Sequence, residues 1–413
     1  MKANLLLYVL LFNYSNIFCD LNTVRLAESL IKGFSLNDVI LEEENCGSLN
    51  FTARTGQYGY LSEEHYLTTK DGYILKLFRI KSSKRCEDEI KTIPVLLLHG
   101  VLLNGMAWIQ VGPDSSLAYG LSDLCYDVWI GNFRGTRFSR QHVSLEPSNP
   151  KFWDFCLDEF AKYDTTAFID KILDVTGSDK VNIVGYSEGG AAYLALASTN
   201  KEYHDKIGVG ITLEPSAYMY TENIILKMLA NDYKDIYKML QKMNKLVNLD
   251  NQKLPDNVLA LKCHNQILSG TLCRFVFEIV KSGISEGSVN CVFKNFPEPM
   301  TFKTIERYSQ HFTKNVFQMI NLGRIENIKK YGTVTPPKYD VSKINHPVAI
   351  VFANREFIVT HDNLAKIRYQ LGNLLMYREI DDPDWNHLSF IYANNINTQL
   401  VPIVNEALEP YSN

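Results

Sequence analysis

The stretch "VNIVGYSEGG", residues 181–190, sets Ser187 between Gly185 and Gly189 in the frame G-x-S-x-G. A serine hydroxyl is a weak nucleophile until a base takes its proton. The motif therefore carries chemistry only where a histidine, oriented by a carboxylate, can reach it. Of nine histidines, His387 in "DPDWNHLSFIYAN" lies on a late loop, after the strand-like "LMYREI" and before the last helical run. His361, in the helix-start stretch "THDNLAKI", is the rival base. His99 precedes Gly100 at a strand end and reads as part of a loop shaping an oxyanion pocket. The chemistry in view is attack on an acyl carbon, with the oxyanion taken by the backbone N–H groups of Glu188 and, from "HGVLLNG", of Val101.

These residues need a scaffold, and the flanking sequence supplies one. "IPVLLLHG", "YDVWIGNFRG", "KVNIVGYS", "IGVGITLEPS" and "PVAIVFAN" are short apolar runs of the kind that form buried parallel strands. Between them, "SSLAYGLSDL", the amphipathic run 158–177 closed by Gly177, and "EGGAAYLALAST" read as helices. Residues 56–82 read as a hairpin turning at Lys70-Asp71-Gly72. The alternation predicts an α/β protein with a mostly parallel, doubly wound sheet. Ser187 then sits between a strand and a helix, the context its motif requires. Residues 217–340 break the rhythm with helical patterns and read as a cap inserted into the core rather than as an independent second domain.

The 413 residues carry 46% hydrophobic and 21% charged side chains and a net charge of -4, with no basic stripe, which argues against a nucleic-acid partner. The first 19 residues combine Lys2 with a short apolar core from Leu5 to Phe12, too short to span a bilayer, and read as a secretory signal. Cleavage is placed near Cys19 or, alternatively, Ser15; an uncleaved N-terminal anchor is the other reading. Removal of Cys19 leaves seven of the eight cysteines, so at least one thiol is expected to be free. A Cys46–Cys86 pair bracing the hairpin region is a further expectation. No C-x-x-C or His-x-x-x-His spacing points to zinc, and no cofactor is implied. Asn50-Phe-Thr52 is a glycosylation sequon.

The fragments "GYLSEEHYLTTKDGYIL", "LLLHGVLLNGMAWI", "YDVWIGNFRGTRFSR", "DEFAKYDTTAFID", "VGYSEGG" and "WNHLSFIYAN" together resemble the acid lipase family of α/β-hydrolases, the gastric and lysosomal acid lipases and their insect relatives. The resemblance implies an α/β-hydrolase fold with an inserted helical cap. It implies a secreted or lysosomal serine hydrolase acting on acyl esters of neutral lipids at a lipid interface. Its nucleophile falls on Ser187, its histidine on His387, its oxyanion pair on Val101 and Glu188, and its cap disulfide on Cys263 and Cys273.

Two positions depart from that pattern. The resemblance puts the third triad member, an aspartate in the family, on Glu356 in "VAIVFANREFIVTHDN", where the extra methylene displaces the carboxylate and Arg355 beside it is an ion-pair competitor. Glu214, where the family has a small apolar residue, remains an alternative acid. Glu188 stands where the family favours glutamine, and a carboxylate there opposes an oxyanion unless it is protonated or turned away. The sequence thus supports an active lipase or esterase and, as a second reading, a lipase-like lipid-binding or storage protein with a misoriented histidine.

Overall fold

A computed structural model describes residues 50–83, 85–86, 90–221, 295–356 and 358–413. Nine strands form one sheet: β1 (Leu61–Thr68), β2 (Tyr73–Ser82), β3 (Val95–Leu98), β4 (Val128–Gly131), β5 (Gln141–His142), β6 (Val181–Tyr186), β7 (Ile207–Leu213), β8 (Val348–Phe352) and β9 (Leu374–Glu379). Their spatial order is β1-β2-β4-β3-β6-β7-β8-β9, with the short β5 beside β2. The hairpin β1–β2 pairs antiparallel to β4, and every pairing from β4 through β9 is parallel. Gly72, at φ 97°, makes the hairpin turn at the anticipated place.

The parallel strands β3, β4, β6, β7 and β8 are buried along their whole length because both faces are covered, whereas the edge strand β9 is partly exposed. On β3, Val95 and Leu97 enter one buried cluster and Leu96 and Leu98 the other, the period-2 alternation of a strand clad on two sides. The chain runs outward from β3 to β4, then returns to the other side of β3 as β6. Strand order reverses there, and open α/β sheets bind ligands beyond the carboxyl ends of strands at such a reversal.

Helices among the described residues include α1 (Phe51–Gln57), α2 (Leu117–Asp123), α3 (Thr165–Thr176), α4 (Glu188–Thr199), α5 (Phe302–Thr313), α6 (Arg324–Tyr331), α7 (His361–Gln370), α8 (Ser389–Tyr392) and α9 (Val401–Leu408). Gly177 caps α3 in the left-handed conformation, φ 70°. The anticipated continuous helix over 158–177 is in fact interrupted by a π-turn at Phe160–Asp164. Asp164 keeps helical backbone angles there, φ -73° and ψ -52°, and accepts from the backbone N–H and the Nε of Arg134, at 3.0 and 2.7 Å. A further helix, α1, was not anticipated: Asn50 caps it, accepting from Ala53 N at 2.9 Å, and Phe51 is buried.

The expected Cys46–Cys86 bridge is corrected: Cys86 pairs with Cys125, at a sequence separation of 39. Cys125 follows α2 and lies just before β4, which pairs with β2, so sheet pairing brings it to the end of the hairpin. Cys156 is buried and free. The proposed signal segment, Cys46, Cys263 and Cys273 lie outside the described residues. Of the span 217–340, the described part includes α5 and α6, and it enters the chain between the adjacent strands β7 and β8.

Candidate active site

Ser187 follows β6 and precedes α4 in a backbone conformation of φ 52°, ψ -113°, unfavourable for a residue with a Cβ. Three hydrogen bonds hold it: its N–H donates to Leu213 O at 2.8 Å, and its carbonyl accepts from Ala191 N at 3.0 Å and Ser216 N at 3.1 Å. The glycines around it permit the close approach. A Cβ on Gly189 would stand 2.4 Å from Leu98 O, and one on Gly185 would stand 2.6 Å from Gly190 Cα. The turn therefore needs glycine at both places, and it delivers the serine hydroxyl above the end of the sheet.

His387 reaches that hydroxyl from 200 residues downstream, with Nε2 3.1 Å from Ser187 Oγ. Its loop is fixed from several sides. Tyr186 Oη donates to the His387 carbonyl at 2.8 Å, Asn386 Oδ1 accepts from Leu388 N at 2.9 Å, and Trp385 Nε1 donates to Asn395 Oδ1 at 3.0 Å. Glu356 Oε2 lies 2.9 Å from His387 Nδ1. The other Glu356 oxygen accepts from Ile358 N at 2.5 Å and Val359 N at 3.0 Å. Burial opposes the Glu356 charge, but the imidazole and these two amides outweigh it and hold the carboxyl below its ordinary pKa. Arg355 does not divert it; its guanidinium pairs with Asp384 at 3.1 Å.

The rival residues fall elsewhere. His361 begins α7, and its Nε2 lies 3.2 Å from Ala353 O. Glu214, at the exit of β7, is fully buried and accepts from Ala353 N at 2.5 Å. One donor atom from each of Glu214, Glu356 and His387 lies within 4.8 Å of the others, the one grouping of this kind among the described residues that could hold a cation. Here, however, the two ring nitrogens of His387 face Glu356 and Ser187, which is the arrangement of a proton relay.

Val101 lies on the loop leaving β3 and borders a cavity of about 340 Å³ together with Ser187 and His387. The remaining wall is mainly apolar, including Met219, Phe296, Ile305 and Phe312. His99 stands behind this loop and accepts from Phe133 N at 3.2 Å through Nε2, which leaves Nδ1 to donate to Gly100 O at 2.8 Å. Burial pushes its pKa down to about 4, so it stays neutral and structural.

Glu188, the first residue of α4, is buried, and burial pushes its carboxyl up to about 7 against the opposing charge of Arg307. Arg307, on α5, is completely buried, and its guanidinium nitrogens have no hydrogen-bond partner among the described residues. Sequence reading missed Arg307 because an arginine on an amphipathic helix ordinarily signals a solvated face.

A reversal in strand order, a serine on a strained strand-to-helix turn and a histidine after the last strand define an α/β hydrolase. Residues 93–244 match the family described as alpha/beta hydrolase fold, and residues 52–112 match the partial alpha/beta-hydrolase lipase region. The chain is 33% identical over 352 residues to the gastric triacylglycerol lipase of Mus musculus, covering 84% of this chain and 88% of that one. It is 31% identical over 353 residues to lipase member K of Homo sapiens, covering 83% and 86%. Lipase 1 of Drosophila melanogaster is 29% identical over 348 residues, covering 83% and 76%. A solved structure of a putative lipase from Sulfolobus solfataricus, 12% identical, superposes with a TM-score of 0.53 over 84% of this chain and 94% of that one, a likeness of fold. The chain belongs to the α/β-hydrolase lipase family that includes the gastric triacylglycerol lipases.

Proposed function

We propose that the protein is a secreted or lysosomal serine hydrolase that cleaves acyl esters of neutral lipids through Ser187, His387 and Glu356. Ser187 Oγ attacks the ester carbonyl carbon while its proton passes to His387 Nε2. The imidazolium so formed is stabilised by the Glu356 carboxylate, and the oxyanion is held by the Val101 and Glu188 amides. Collapse of the tetrahedral species expels the alcohol, which takes the proton from His387. A water molecule then attacks the acyl-enzyme with His387 again as base, and the fatty acid leaves. The apolar cavity beside Ser187 receives the acyl chain, beneath a cap drawn from the span 217–340.

The observation that carries this reading is the continuous chain from Ser187 Oγ through His387 to Glu356, at 3.1 and 2.9 Å. A lipid-binding protein with a misoriented histidine would not need that alignment. Secretion rests on the apolar N-terminal segment. A glycan at Asn50 is compatible with its place at the surface, since the helix-capping contacts use its Oδ1 and a glycan would join its nitrogen.

The test is a fluorophosphonate probe on the folded protein together with hydrolysis of a short-chain chromogenic ester. Labelling at Ser187 and turnover abolished in Ser187→Ala are the expected results. Equal turnover by the parent and Ser187→Ala, with no labelling, would overturn the proposal.

A further inference from the structure

The end of β7 carries a buried acid for which the reaction above has no use. Glu214 sits at φ 47°, a second side-chain-bearing residue at positive φ on a neighbouring strand exit, and its N–H donates to Val351 O at 3.0 Å. Its Oε1 accepts from Ala353 N, three residues before Glu356, so the side chain fastens the start of the loop that carries Glu356. Its Oε2 is buried and unpartnered by strict hydrogen-bond geometry, yet a Glu214 oxygen lies within 4.8 Å of both a Glu356 oxygen and a His387 nitrogen. Two carboxylates cannot both ionise at such a separation in a dry site, so one must keep its proton.

We propose that Glu214 is a positioning residue of the triad, a carboxylic acid that retains its proton, donates it to Glu356 and thereby holds Glu356 against His387. The assignment of the proton follows from the surroundings. Glu356 has two backbone N–H donors and an imidazole N–H stabilising its anion, whereas Glu214 has the single amide of Ala353. Burial, and then the Glu356 charge, raise Glu214 well above the ordinary carboxyl range. Its charge is felt by Tyr186 on β6 and by Tyr377 on β9, both phenols raised first by burial, and Arg368 acts on Tyr377 in the opposite sense. A neutral donor behind Glu356 lets the histidine see one negative charge rather than two.

This inference rests on the triad reading, and its test separates the two. Glutamine reproduces the pattern of a protonated Glu214, with its oxygen on Ala353 N and its amide nitrogen donating to Glu356. In Glu214→Gln the titration of His387, followed by NMR, and the acidic limb of kcat/KM are expected to stay within about 0.3 pH unit of the parent. Glu214→Leu removes the donor; kcat is expected to fall about tenfold with KM unchanged, and the His387 titration to rise by roughly 0.5–1 unit, because Glu356 becomes the stronger anion. At pH 8, above the titration of Glu188, the infrared difference between the parent and Glu214→Gln should show one protonated carboxyl band present only in the parent. A His387 titration lowered in Glu214→Gln, or absence of that band, would overturn the proposal, since either means that Glu214 is ionised. A leucine variant that does not fold leaves the glutamine and infrared results to decide. The NMR and infrared measurements need no turnover, so failure of the hydrolase reading appears as an inactive parent, whereas failure of this one appears as a lowered His387 titration or a missing band.

Discussion

Glu356 reaches His387 at 2.9 Å with a glutamate side chain, in a place where the family resemblance implies aspartate. The loop after β8 suits the longer residue: the Ile358 and Val359 amides donate to one oxygen and leave the other for the imidazole. Glu356→Asp, although it restores the family's residue, is expected to withdraw the carboxylate by about one methylene and to lower kcat about a hundredfold. Glu356→Gln, which removes the charge that steadies the imidazolium, is expected to cost on the order of 10⁴-fold. Steady-state kinetics on a soluble ester check both, and an aspartate variant as fast as the parent would refute the fitted loop.

Glu188 predicts a pH dependence whose sign is fixed. Its folded pKa is about 7, raised from an ordinary value of 4.5, so the unfolded chain gives up this proton first. The contribution of this group to stability is complete below about pH 4.5 and is lost as pH rises through 7, by at most about 3 kcal/mol. Glu188→Gln should therefore unfold at higher denaturant than the parent at pH 8 and show little difference at pH 4. The variant should also keep its turnover above pH 7, where the parent acquires a negative charge beside the nucleophile. Parallel denaturation curves at the two pH values would count against this.

Gly189→Ala tests the turn itself. The added methyl would lie 2.4 Å from Leu98 O and 2.7 Å from His99 O, both backbone atoms that cannot swing aside. A loss of more than about 2 kcal/mol of stability, with turnover reduced in whatever protein folds, is expected from urea denaturation and ester hydrolysis. Gly177→Ala, where a methyl meets nothing within 4 Å but the backbone has φ 70°, should lose about 1 kcal/mol and leave kcat alone.

The Cys86–Cys125 bridge closes a loop with a sequence separation of 39, which corresponds to about 4 kcal/mol in the chain-entropy account. The double variant Cys86→Ser, Cys125→Ser is expected to lose about 2–4 kcal/mol without a change in KM, because the bridge lies at the hairpin and not at the cavity. Thermal unfolding of oxidised, reduced and mutated protein distinguishes these outcomes.

What could be read in the sequence was whatever depends on local pattern. The apolar strands, the hairpin turn at Gly72 and the helix cap at Gly177 follow from period and turn chemistry. Ser187 could be placed because its motif lies between a strand and a helix, and His387 because it follows the last strand. What depends on packing between distant segments could not be read. Cys46 was nearer than Cys125 to the hairpin in sequence, but the pairing of β2 with β4 chose Cys125. The π-turn before α3 ends at Asp164, which contacts Arg134, itself paired with Asp71 at 2.6 Å, an arrangement of three residues drawn from positions 71, 134 and 164. Glu214 was visible as a candidate acid, yet only the fold puts Glu356 Oε2 2.9 Å from His387 Nδ1 and Glu214 on the Ala353 amide.

The long segment between β7 and β8 leaves and rejoins the sheet at two neighbouring strands, on the scaffold that also presents Ser187 and the Glu356 loop. Insertions of that kind leave strand pairing intact on both sides. Residues gained or lost between those two strands therefore leave the register of Leu213 with Val351 unchanged.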